Sequence, residues 1–145
     1  MMTMRARHIA WLGLAALTAA GLGAHASAAQ LSVTPKVSDL QVVLDRAADG
    51  DEVLLAAGTY RGPLRITHRI TLAGAPGTVV EGAGKGSVIT VSAPGAVVRG
   101  LEVRDSGRAL DKMDSGIFLE QSASGAVVEN NQLQGNLFGV YVHGA

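Results

Sequence analysis

The residues able to do chemistry fall in two places. The stretch from Asp105 to Ser115, DSGRALDKMDS, gathers Asp105, Arg108, Asp111, Lys112, Met113 and Asp114 within eleven positions. Mixed charges at this density suit recognition of a partner better than tight metal binding, and the competing reading is a solvated, charge-balanced loop. Met113 offers a soft sulfur that can help hold Cu(I), although a single methionine also serves as a loop hydrophobe. His143 closes the segment VYVHG and is either a metal ligand or a histidine on the rim of a strand. His68, between Arg65 and Arg69, reads as solvated. The pair Asn130-Asn131 is either a sugar contact or, more simply, a turn asparagine.

Carbohydrate cleavage needs paired carboxylates facing one cleft, or a base with a charge-neutralising partner. The strand-like runs Val88 to Val91 and Ile117 to Leu119 carry Thr90 and no carboxylate. Glu120 and His143 each follow a strand and should lie near one another, but such a pair alone specifies no reaction. The expected protein is therefore not an enzyme.

Composition narrows the classes further. The 145 residues allow one domain, and the absence of cysteine removes disulfides, zinc-thiolate sites and a cysteine nucleophile. Twelve bases balance twelve acids and only 3% of residues are aromatic, which argues against a nucleic-acid partner. The N-terminus has the three-part layout of a secretory signal peptide over residues 1–28. Arg5 and Arg7 precede an uncharged run from Ile9 to Leu22, and small-x-small sites follow at Ala24-His25-Ala26 and Ala26-Ser27-Ala28. The apolar run is shorter than the ~20 residues a spanning helix needs, so no membrane span is expected after cleavage. Export without cysteine points to a bacterial periplasm.

The elements that must position the candidate residues show two periods. Ser38-Asp39-Leu40-Gln41 has the form of a capping box, with Leu40, Val43, Leu44 and Ala47 on one helical stripe and Gly50 as its left-handed stop. The helix is expected over about 38 to 48. Val53-Leu54-Leu55 then reads as a strand, turned by Gly58-Thr59-Tyr60. Beyond Ile70 three segments align: APGTVVEG from Ala75, APGAVVRG from Ala93 and ASGAVVEN from Ala123. Their last positions, Gly82, Gly100 and Asn130, are expected at positive φ. Strands from Ile70, Val88, Ile117 and Val140 recur at 18, 29 and 23 residues, and a third set begins at Leu101 and Asn131. A period near 20 with about three short strands per turn predicts an all-β fold, a right-handed parallel β-helix over residues 31–145, capped at its N-terminal end by the helix. The rival β-sandwich would want hairpins and antiparallel alternation. The middle coil exceeds its neighbours, and the excess falls in Asp105 to Ser115. The chain stops one strand into a new coil, which reads as the N-terminal part of a longer solenoid.

The run from Ala48 to Tyr60, ADGDEVLLAAGTY, resembles the opening coil of pectin-lyase-like β-helices, and Gly84 to Leu101 is similar to the same coils in one subgroup. More specific are Arg104 to Glu120 and Leu137 to Gly144, LFGVYVHG. Together they resemble the NosD family, periplasmic maturation proteins of nitrous oxide reductase, over most of the mature chain but only the N-terminal third or so of a typical member. The resemblance implies an exported, copper-binding accessory of copper-centre assembly. It implies as partners an ABC-type ATPase, a membrane permease and nitrous oxide reductase. It transfers no copper ligands onto this sequence, and the alternative is a carbohydrate-active or carbohydrate-binding β-helix.

Overall fold

In the computed structural model, residues 27–144 are described. The expected signal peptide lies almost wholly outside them, so its fate is not visible in the fold. Among the described residues thirteen strands and one helix make a parallel β-solenoid of about five turns. A first face stacks β1 (Gln30–Val33), β2 (Glu52–Leu55), β5 (Thr71–Gly74), β8 (Val97–Arg99) and β11 (Val127–Glu129). A second stacks β3 (Gly58–Arg61), β6 (Thr78–Glu81), β9 (Glu102–Arg104) and β12 (Gln132–Gln134). A third stacks β4 (Leu64–Ile66), β7 (Ile89–Val91), β10 (Ser115–Leu119) and β13 (Phe138–Val142). Every pairing is parallel, which excludes the sandwich.

Strand alternation decides what fills the lumen, because successive side chains point to opposite faces. The inward column of the first face runs Leu31, Val53, Leu72, Val98, Val128. On the second face it is Tyr60, Val80, Val103, Leu133. The third contributes Leu64, Ile89, Ile117, Val140 and Ile66, Val91, Leu119, Val142. Most are fully buried, but Val140 and Val142 are about half exposed in the last described rung. Branched aliphatics dominate because a narrow lumen accommodates them in single rotamers.

Several expectations change. The solenoid begins before the helix: β1 pairs in register with β2, so the helix is inserted between two strands of one face rather than preceding the coils. The helix α1 (Leu40–Arg46) buries Leu40 and Leu44. Its N-cap is Asp39, not Ser38; the Asp39 carboxylate accepts from the Gln41 amide at 2.9 Å. The Gln41 side chain does not turn back on the cap. Its Nε2 donates to the Arg65 carbonyl at 2.9 Å and its Oε1 accepts from the Arg65 amide at 2.8 Å. One glutamine thus occupies the backbone groups of β4, the edge strand of the third face, as a neighbouring strand would. The helix ends at Ala47, whose extended backbone stops it, and Gly50 serves the next turn instead. Gly58 to Tyr60 is not a turn but the start of β3.

The threefold repeat is displaced in its first copy. Val79 lies in β6 on the second face, whereas Val97 and Val127 pair directly on the first. The true counterparts of Val97 and Val127 are Glu52 and Thr71. Gly100 and Asn130 accordingly have φ of 69° and 53°, but Gly82, which sits after a different face, lacks positive φ. What Gly82 supplies is space, since a Cβ there would lie 2.3 Å from the Asp105 carbonyl. The strand at Ile70 is likewise on the first face; the missed counterpart of β7, β10 and β13 is β4.

Candidate functional site

The segment from Asp105 to Asp114, joining β9 to β10, is the longest helix-free connection between strands of the described fold. Its two ends are built into the stack. Ser106 and Gly107 are buried, and the Gly107 amide donates to the Gly86 carbonyl at 2.8 Å in the loop of the rung before. On the other side Asn136 reaches back: its Oδ1 accepts from the Ser106 amide at 3.1 Å and its Nδ2 donates to the Val103 carbonyl at 2.9 Å. The Ser106 hydroxyl accepts from the Leu137 amide at 2.9 Å. Backbone amides otherwise left without partners at the bend are satisfied this way.

Within this frame the expected docking residues divide. Asp105, Arg108, Asp111 and Lys112 are exposed, as a recognition surface requires. Asp114 does not face outward: it is 4% exposed, and its carboxylate accepts from the Ala109 amide at 3.0 Å. The Asp114 amide donates to the Ala109 carbonyl, and Met113 to Leu110, at 3.2 Å each. Asp114 therefore closes the loop on itself and holds its tip. Asp105 is drawn toward Arg104, whose guanidinium lies 3.6 Å from its carboxylate.

The two metal candidates do not converge. Met113 lies before β10, while the His143 amide donates to Leu119 at the far end of that strand. The run from Ser115 to Leu119 alone separates the two ends by roughly 13 Å at the usual strand rise. Among the described residues no three histidine or carboxylate side chains are placed to hold one metal ion. His143 instead stacks on Phe118 at 6.1 Å, and Phe118 stacks on Tyr141 at 5.3 Å. These residues do not fit a shared copper site.

Glu120 and His143 do come together, lining a groove with Phe118, Gln121 and Ser122. Glu120 is already engaged, however, accepting two bonds from Arg65 at 2.8 and 2.9 Å. Asn131 is a structural asparagine, as the simpler reading had it: it accepts from the Leu101 amide and donates to the Val98 carbonyl, both at 3.0 Å.

Sequence reasoning missed three features. A carboxylate cluster does exist, but on the second face, where Glu81, Glu102 and Asp105 surround Arg104 at 3.4–3.6 Å. Its signal was the column Arg61, Glu81, Arg104, visible only in the correct register. Asn136 is the second. The third is Leu110, which stands at the loop tip 65% exposed.

Elsewhere two ionisable groups are displaced by the fold. The amides of Ala29 and Ala48, at 2.9 and 2.8 Å, hold the Asp51 carboxyl below its usual range. Burial raises the Tyr60 phenol, whose one hydroxyl hydrogen is shared between the Ala56 carbonyl at 2.8 Å and the Val33 carbonyl at 3.0 Å.

The chain is similar to a protein named probable ABC transporter binding protein NosD from Pseudomonas aeruginosa, with 42% identity over 96 residues. A protein of the same name from Stutzerimonas stutzeri is 38% identical over 90 residues. These identities support a place for the chain in the NosD family. The matches cover 66% and 62% of this chain but 22% and 21% of the relatives, so it spans about a fifth of the NosD proteins it matches. No family model matches the chain, and no solved structure does so significantly. No helix among the described residues is long and apolar enough to cross a membrane.

Proposed function

We propose that this NosD-family protein is an exported accessory that works with an ABC-type ATPase and membrane permease in assembling the copper centre of nitrous oxide reductase, without catalysing a reaction itself. The observation that carries the transporter association is the identity to two proteins named for binding an ABC transporter. Export is supported by the tripartite sequence of residues 1–28, and the periplasm is the compartment that such a leader and a cysteine-free chain fit. Copper enters as cargo of the assembly. The separation of Met113 from His143 gives no support to a copper site made by these two residues.

The non-enzymatic reading is supported by the state of the carboxylates. Glu52, Glu81, Glu102 and Glu120 are each paired with an arginine. Carboxylates engaged by a guanidinium in this way are occupied within the fold rather than directed at a substrate. The loop from Asp105 to Asp114 then acts as a docking surface through Arg108, Asp111 and Lys112, held by Asp114 and Asn136. Affinity purification of the full-length protein from membranes tests the reading. The ATPase and permease should co-elute, and uronate polymers should survive incubation with the product. Loss of both subunits from the eluate, or cleavage of the polymer, overturns it.

A further inference from the structure

Two carboxylates of the described fold are buried, Asp51 at 8% exposure and Asp114 at 4%, and neither has a cation within ion-pair distance among the described residues. A charge buried without a counter-charge is costly, so such a group is ordinarily paired. Asp114 is engaged by an amide of its own loop. Asp51 is differently placed. It immediately precedes β2, and its Oδ2 accepts from the Ala48 amide at 2.8 Å while its Oδ1 accepts from the Ala29 amide at 2.9 Å.

Ala29 lies at a boundary that the sequence marks for processing. Its carbonyl accepts from the Glu52 amide at 2.9 Å, which starts the ladder that β1 continues along β2. Ser27 and Ala28, just before it, are exposed and make no hydrogen bond to another described residue. Ala26-Ser27-Ala28 is one of the two small-x-small sites of the expected leader, and cleavage behind it leaves Ala29 first. Cleavage behind Ala24-His25-Ala26 would leave Ser27 first and keep the Ala29 nitrogen inside a neutral peptide bond.

We infer that the leader is removed between Ala28 and Ala29, and that the α-ammonium created there is the counter-charge of buried Asp51, clamping β1 onto β2 in the processed protein alone. The inference rests on the export reading and deepens it. In the cut, a leader peptidase adds water across the Ala28–Ala29 peptide bond. The hydroxyl goes to the Ala28 carbonyl carbon and the hydrogen to the Ala29 nitrogen. The new carboxyl gives its proton to the amine, leaving a carboxylate on the departing leader and an ammonium on Ala29. That nitrogen already stands at hydrogen-bond distance from the Asp51 Oδ1, so a neutral hydrogen bond becomes a charge-assisted one without movement of the strand.

The test expresses the full-length protein with its own leader and reads the N-terminus of the product by mass spectrometry. Ala29 should be the first residue. Any other first residue in a processed protein overturns the inference and leaves export standing; a retained leader overturns both. The α-amine of the folded product is then labelled with acetic anhydride near neutral pH. In Asp51→Asn it should react about tenfold faster than in the unaltered protein, since pairing with a carboxylate holds the amine protonated. Equal rates overturn the pairing. Should circular dichroism show that Asp51→Asn has lost its fold, Ala28→Leu carries the test without touching Asp51. Leucine at the cleavage position moves the cut behind Ala26 or blocks it, and either product keeps an amide at Ala29. Amide exchange over β1 should then be about tenfold faster than in the unaltered protein, and equal exchange overturns the clamp.

Discussion

Substituting Gly100 by alanine probes the stack where two rungs approach closely. Gly100 has φ of 69°, and a Cβ built there would lie 2.7 Å from the Gly74 carbonyl oxygen of the neighbouring rung. Two costs arise. Alanine in the left-handed region costs about 1–2 kcal/mol. Displacing a paired backbone to relieve the contact costs about 1–3 kcal/mol more. Gly100→Ala should therefore destabilise its rung by roughly 2–5 kcal/mol. Gly125 supplies the control: its φ is 70°, and a Cβ added to it would meet nothing within 4 Å. Gly125→Ala should show the first cost alone, about 1–2 kcal/mol. Solenoids open in parts, so native-state amide exchange at residues 97–101 and 125–129 is a better readout than a single melting curve. Equal costs at the two glycines, or a neutral Gly100→Ala, would refute the assigned contact between rungs.

Gln41→Ala should cost about 1–2 kcal/mol in urea unfolding by leaving both backbone groups of Arg65 without their partner, while Ser38→Ala should change stability by less than about 0.5 kcal/mol. Asp51 links stability to pH. Its carboxyl titrates lower in the fold than in the open chain, so its stabilisation is complete above the ordinary carboxylate value and is lost as pH falls through the lower folded value. The urea midpoint should fall less steeply on acidification in Asp51→Asn than in the unaltered protein; identical profiles would remove Asp51 from the linkage. Asn136→Ala should free the Ser106 amide and Val103 carbonyl, and trypsin should then cut faster at Arg108 or Lys112.

The solenoid was legible because its turn residues recur and its lumen is aliphatic. Its phasing was less so. Gly-x-Val-Val occurs on two different faces, and Val79 looks like Val97 in sequence although the two belong to different columns. Strand β1, four residues beside a leader-like segment, and β4, three residues after a Gly-Pro pair, are too short to show a period of two. The loop was legible as surplus length between strands. Its interior was not, since Asp114 has the same composition signal as Asp111, and only the Ala109 amide distinguishes a clamp from an exposed charge. Leu110 was passed over because an isolated leucine in a polar run carries no pattern until its exposure is seen.

Copper content of nitrous oxide reductase, purified from cells lacking this gene, tests the central claim most directly. The account predicts a reductase that is exported but short of the copper of its assembled centre, and full loading when the intact gene is returned. A reductase with its full copper complement in the deleted strain would contradict the account.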